Sequence, residues 1–277
     1  MKGTLLLIVL LFPIVLLAQV NNLSGKIIDG KTGNALPYVN IGVVGKNAGT
    51  VSAPDGRFSL RIPSNLNAAE LRISMVGYEA RSFSVSEFKE NLQSNPVVEL
   101  MPVSIALQEV VVRPKFDETR ILGNETTSTN VTGGFAVDTL GREIGIIVRL
   151  KKKYRPATPL KFRASVALSE YDTIRFRLNF YNLKRGMPDQ KLVTENIIIT
   201  RTFEQGIIEV DLEDYGIRIE DDFCVALEWI EDFGDNGNDL NFSFALFGNR
   251  MVYRSTSQDI WRDFRLLTPG LNVTIGY

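Results

Sequence analysis

Ala53-Pro-Asp-Gly-Arg-Phe-Ser-Leu-Arg-Ile62 reads as a tight turn feeding a half-buried strand. Pro-Asp-Gly supplies the turn, with glycine where a positive φ is needed. Phe58, Leu60 and Ile62 then alternate with Ser59 and Arg61, a period of two that places one face inward and one outward. The same grammar extends both ways. Upstream, Asn22 to Asp29 reads as a first strand and Asp29-Gly-Lys-Thr-Gly-Asn34 as the turn that ends it. Pro37 stands at the mouth of the strand Tyr38 to Val44, where a proline is tolerated. Downstream, Leu71 to Val76 and Ala80 to Val85 make two strands around Gly77-Tyr78. Ser86 to Leu92 predicts a single capped helical turn, and Val97 to Leu100 closes the sheet. About seven short strands with a turn signal every ~8–12 residues indicate a β-sandwich.

Gly25, Thr32-Gly33, Pro37, Gly49-Thr50, Asp55-Gly56-Arg57-Phe58 and Gly77-Tyr78 stand in the order found in the carboxypeptidase-like regulatory domain. The stretch 20–112 therefore resembles that domain, a seven-stranded sandwich of the transthyretin-like kind. Such domains occur beside carboxypeptidases and as N-terminal extensions of TonB-dependent outer-membrane transporters in the Bacteroidetes. Ala106-Leu-Gln-Glu-Val-Val-Val-Arg-Pro114 looks like the short connector that follows the domain in those transporters. No plug domain or long barrel follows it here, so the resemblance implies a fold and a cell-envelope setting and does not carry over a transporter role.

Composition narrows the chemistry. The chain has 277 residues, no histidine and one cysteine. Histidine-based triads, histidine-ligated metals, intramolecular disulfides and thiolate clusters are excluded within it. Cys224, in Phe223-Cys-Val-Ala-Leu-Glu-Trp229, reads as a small buried hydrophobe. With 31 basic and 32 acidic residues the net charge of −1 gives no field to attract nucleic acid. The basic run Lys151-Lys-Lys-Tyr-Arg155 reads as a solvated strand end. No phosphate-binding glycine loop and no Gly-x-Ser-x-Gly elbow is present.

At the start, Met1-Lys-Gly-Thr4 precedes an apolar run from Leu5 to Leu17, and Ala18-Gln19 follows. A basic start, a short apolar core and a small exit residue describe a signal peptide over 1–18, too short to span a bilayer comfortably. The mature chain is expected to be exported and not integral to a membrane. Its place is the periplasm, the outer-membrane surface or the cell surface. Residues 113–134 are polar and Thr-rich and read as a linker.

From Phe135 to Tyr277 strand signals return. Leu160, Phe162, Ala164 and Val166 alternate with polar residues, as do Ile174, Phe176, Leu178 and Phe180, and Ile208, Val210 and Leu212. Eight or nine such strands without a long helix predict an antiparallel, jelly-roll-like second sandwich with a slight likeness to carbohydrate-binding folds. The chain is thus expected to be all-β. A small outer-membrane barrel, prompted by the terminal Tyr277, is the alternative; its strands should run to about 9–11 residues, and those read here are mostly shorter.

Candidate sites are few. Tyr171, Tyr181, Trp229 and Trp261 are the aromatic residues most suited to stacking on a sugar, Trp261 foremost because it stands in a polar loop, against the plainer reading as core or inter-sheet contacts. Glu231 to Asp239 is an acidic, glycine-rich loop with oxygen ligands of the kind calcium takes, but it does not close like an EF-hand and reads first as a polar hairpin loop, with a structural calcium as the alternative. The acidic cluster Asp211 to Asp222 selects no catalytic pair, and neither a cofactor nor a metal is assigned. The sequence points to a non-catalytic exported binding or adaptor module for a polysaccharide or envelope protein. A structural spacer and a carboxylate-based hydrolase are the alternatives.

Overall fold

The computed structural model describes residues 20–103, 116, 118–135, 140–202, 205–232 and 240–277. The expected signal peptide, the connector Ala106 to Pro114 and residues 233–239 of the acidic loop lie outside the described residues. Elsewhere the chain is all-β, as expected.

The first domain stacks two sheets. One holds β4 (Arg57–Pro63), β1 (Val20–Asp29) and β7 (Val97–Leu100) in that order. The other holds β3 (Gly49–Val51), β2 (Asn40–Val43), β5 (Glu70–Ser74) and β6 (Arg81–Ser84). The seven strands form the expected sandwich. β4 alternates exposed and buried along its whole length, so Phe58, Leu60 and Ile62 face Ile27, Ile41, Leu71 and Ile73 in the core. Gly56 sits at φ 80° in the turn before it, and a Cβ there would press on the Ile27 carbonyl.

Helix α1 (Val85–Ser94) is longer than the single turn expected. Two features lengthen it. The Ser84 hydroxyl accepts from the Glu87 N–H at 3.1 Å while the Glu87 carboxylate reaches back, a reciprocal cap. Val85, Phe88 and Leu92 then fall on one face and are buried over the sheets.

The second domain also stacks two sheets. In the first, β13 (Met187–Lys191), β12 (Ile174–Lys184), β16 (Phe223–Asp232), β10 (Glu143–Val148), β18 (Met251–Arg254) and β19 (Arg262–Phe264) lie side by side, with β14 (Ile197–Arg201) also on β12. In the second, β20 (Leu267–Pro269), β17 (Leu240–Leu246), β11 (Thr158–Ser169), β21 (Leu271–Gly276) and β8 (Thr119–Gly123) lie in order. There β15 (Gly206–Asp211) pairs with β11 and β9 (Thr132–Phe135) with β17. The chain crosses repeatedly between the sheets. Phe162, Phe176, Leu227, Trp229 and Phe242 fill the space between them, so the sheets share a packed core rather than enclosing a lumen.

β8 and β9 lie within the stretch read as a linker. They differ from that reading because their pairing is made by backbone groups, Thr119–Gly123 along β21 and Thr132–Phe135 along β17. Their side chains are mostly exposed or half-buried, so no apolar alternation marks them in the sequence.

Candidate functional site

Two features of the second domain combine charge with structure: a polar face of β12 and β16 covered by the first domain, and a cleft farther along the same sheet.

The covered face is built from strand alternation. Phe176, Leu178 and Phe180 point into the core, which sends Arg175, Arg177, Asn179 and Tyr181 to the other side. Glu228 and Glu143 stand on that side too, directly paired across β16 and β10. Arg177 Nε donates to Glu228 at 2.8 Å, Asn179 Nδ2 to Glu228 at 3.0 Å, and the Tyr181 hydroxyl to Glu143 at 2.9 Å. Arg254 pairs with Glu143.

The first domain closes over this face. Arg177 reaches it twice at 2.9 Å, donating to the Tyr38 carbonyl and to Asn40 Oδ1. Asn40 Nδ2 donates to Glu228 and, at 2.9 Å, to the Ser257 hydroxyl. At the margin the Tyr38 hydroxyl donates to Glu231 at 2.6 Å, and Arg175 pairs with the same carboxylate at 2.5 Å. The loop at Ser257 runs against β2 and β3 so closely that a Cβ on Gly42 or Gly49 would overlap the Ser257 carbonyl.

Arg177, Arg254 and Lys191 bring three positive charges to this region against two on Glu143 and Glu228, and both carboxylates are fully buried. Burial opposes the charge on Glu228, yet Arg177 and Lys191 hold its carboxyl well below the usual carboxylate range. The surplus falls on Lys191: burial, with Arg177 as a like charge, pulls its ammonium down to about 8. Burial and then the Glu143 charge push the Tyr181 phenol up. Glu143 and Glu228 are thus two adjacent, fully buried carboxylates, each paired with an arginine. Through Arg177 and Asn40 this arrangement fastens the two sandwiches to each other.

The cleft has a volume of about 670 Å³. Leu183 and the Gly186 turn line it at the far end of β12, about 20 Å along the strand from Arg177. Arg149, Arg250 and Arg265 line it as well. Its acidic lining residue, Asp222, already accepts from the Leu150 N–H at 2.9 Å and from Arg155 at 3.2 Å. Arg250 Nε makes no hydrogen bond, with Asp263 at 3.8 Å as an ion-pair partner.

The tryptophans read from the sequence are not placed together. Trp229 is fully buried, edge-on to Tyr171 and against Phe135, and its indole N–H donates to the Glu231 carbonyl at 3.1 Å. No face of the ring is open to a sugar, because β16 alternation turns it into the core. Trp261 is half-buried between the Tyr181 edge and Arg254, whose guanidinium lies 5.1 Å from the ring centroid. Cys224 is buried, and burial pushes its thiol up. Among the described residues no group of three or more acidic or cysteine side chains is placed to hold a metal.

Arg175, Arg177 and Asn179 are the polar partners in the alternation of β12, and nothing local to that strand tells that the first domain covers them. The readable signal was Glu228, a lone acid inside the apolar run Phe223 to Ile230. Arg149, Arg250 and Arg265 come from three separate segments and had no signal in sequence.

The family model of the CarboxypepD_reg-like domain matches residues 23–112. That match is to about a third of the chain, and its described part, residues 23–103, is the first sandwich. The CarboxypepD_reg-like domain is thus the part of the molecule that supplies Tyr38 and Asn40 to the covered face. TonB-dependent receptor P3 of Formosa agariphila is 29% identical over 171 residues, covering 59% of this chain. That share is larger than the CarboxypepD_reg-like domain alone accounts for. The alignment spans 16% of the receptor, so most of the receptor has no counterpart in it. Both findings fit an envelope-associated module. Among the described residues no helix is long and apolar enough to cross a membrane.

Proposed function

We propose that the chain is an exported, non-catalytic adaptor of the cell envelope, in which the CarboxypepD_reg-like domain and the second sandwich act as one body that holds a partner. The observation that carries this reading is the junction. Arg177, Glu228 and Asn40 tie the domains by buried, charge-assisted hydrogen bonds, a device that fixes relative orientation. The similarity to a TonB-dependent receptor, reaching past the CarboxypepD_reg-like domain, supports an envelope setting. A protein partner is favoured over a polysaccharide, since Trp229 has no open face and Trp261 carries Arg254 over its ring.

The test is crosslinking in intact envelopes with the mature chain starting at Gln19, beside affinity electrophoresis on a panel of polysaccharides. A discrete crosslinked envelope protein, lost when the junction is opened by Asn40→Ala, is the expected result. Retardation by one glycan, abolished in Trp261→Ala, would replace the protein partner with a polysaccharide. A chain that crosslinks to nothing and is retarded by nothing is a spacer, and the adaptor reading fails.

A further inference from the structure

At the end of the second sandwich that carries the cleft, Leu246, Phe247, Phe264 and Leu266 stand in the open. Phe247 is 73% exposed, Leu246 58% and Leu266 49%. They are held there by structure. Leu246 pairs with Leu267 across β17 and β20, and the Phe247 N–H donates to the Leu266 carbonyl at 2.9 Å. Met251 pairs with Phe264 across β18 and β19. Phe247 adopts a left-handed backbone at φ 56°, uncommon for a bulky residue, in the bend where the chain leaves β17 for the other sheet. Single exposed apolar residues are ordinary; several gathered at one end of a sandwich mark an interaction surface.

The charge beside them is unbalanced, with Arg149, Arg250 and Arg265 set against Asp263, and with Asp222 already taken by Arg155. Arg265 lies between Phe264 and Leu266 in the chain and lines the cleft with Arg149 and Arg250. Arg149 is exposed and makes no ion pair among the described residues, and Asp263 serves both Arg250 and Arg265. Exposed apolar side chains beside an unpaired Arg149 and two arginines that share one carboxylate match the boundary between phosphate headgroups and acyl chains. A polysaccharide offers no apolar depth for Phe247 and Leu266 to enter.

We propose that this end of the second sandwich docks on an anionic lipid surface, with Leu246, Phe247 and Leu266 entering the headgroup layer and Arg149, Arg250 and Arg265 receiving lipid phosphates. The covered face and the CarboxypepD_reg-like domain lie back along β12 and keep their contacts in the docked state.

The test is co-sedimentation of the mature chain with extruded vesicles of phosphatidylglycerol and phosphatidylethanolamine, beside vesicles of phosphatidylcholine alone. The anionic vesicles should carry the chain down, with binding falling steeply as salt is raised. Phe247→Ser with Leu266→Ser, and separately Arg149→Glu with Arg265→Glu, should each weaken binding about tenfold or more. Ile207→Ser, an exposed apolar site on β15, should leave it unchanged. These are surface positions, and equal melting temperatures confirm that each variant is folded. The proposal is overturned if anionic vesicles fail to carry the chain, if the serine pair binds as well as the parent, or if only vesicles containing envelope proteins retain it. A chain that crosslinks to a partner yet ignores lipid keeps the adaptor reading and loses this one.

Discussion

Glu228 is the residue on which the junction turns. Arg177, Asn179 and Asn40 all donate to its carboxylate, and it is fully buried. Removing one partner of a buried ion pair leaves the other uncompensated, at a cost of about 3–5 kcal/mol. Glu228→Gln should therefore lower the unfolding free energy by about that much, measured by urea denaturation at neutral pH; a loss under about 1 kcal/mol would show that the pair is not working as drawn. Lys191 makes a second prediction. Its ammonium titrates at about 8 in the folded chain against an ordinary 10.5. Between those values the unfolded chain binds the extra proton, so stability from this group rises with pH. Relative to Lys191→Met, the parent should gain stability from about pH 8 to about pH 10.5, and a pH-independent difference between the two would contradict the assignment. Glu228 acts at the other end. Its folded carboxyl is depressed, so its contribution is present above the ordinary carboxylate range and is lost as the medium is acidified below it.

Among the elements, β4 and α1 show what local pattern can and cannot convey. In β4 alternation, turn and burial coincide, and the strand is readable from Pro54 to Ile62 without knowledge of its neighbours. In α1 the sequence showed a cap and one turn, while the extent was set by Phe88 and Leu92 finding the sheet. Ser84→Ala removes one side of the reciprocal cap and should cost about 1 kcal/mol, read as a shift in the denaturation midpoint of the chain. β8 and β9 were illegible for the opposite reason. A strand that pairs through its backbone and exposes its side chains carries no apolar signature, and the long-range partners β21 and β17 are remote in sequence. The cleft shares that limit, because its arginines converge only after β10, β18 and the segment following β19 are in place.

At the scale of the molecule, the two sandwiches should unfold together. Each has its own apolar core, and what couples them is the polar face and the approach of Gly42 and Gly49 to the Ser257 loop. Calorimetry of the parent should give one transition. Gly49→Val, whose side chain has no room beside Ser257, should split it into two while leaving each core intact. A single unaltered transition would mean that the domains communicate through other contacts. The end of the family-like residue order near 112, the polar Thr-rich stretch after it and the return of strand alternation at Phe135 mark two halves in the sequence, whereas the dependence of one on the other rests on side chains that each half presents as ordinary surface polarity. The junction also bears on inheritance. A CarboxypepD_reg-like domain transplanted onto a different neighbour would bring Asn40 without a carboxylate to meet it, and the second sandwich left behind would bare Arg177 and Glu228 to solvent. Recombination that swaps one half at a time therefore meets a penalty at the seam, and the pair should descend as a unit, with changes at Asn40, Arg177 and Glu228 arising in concert.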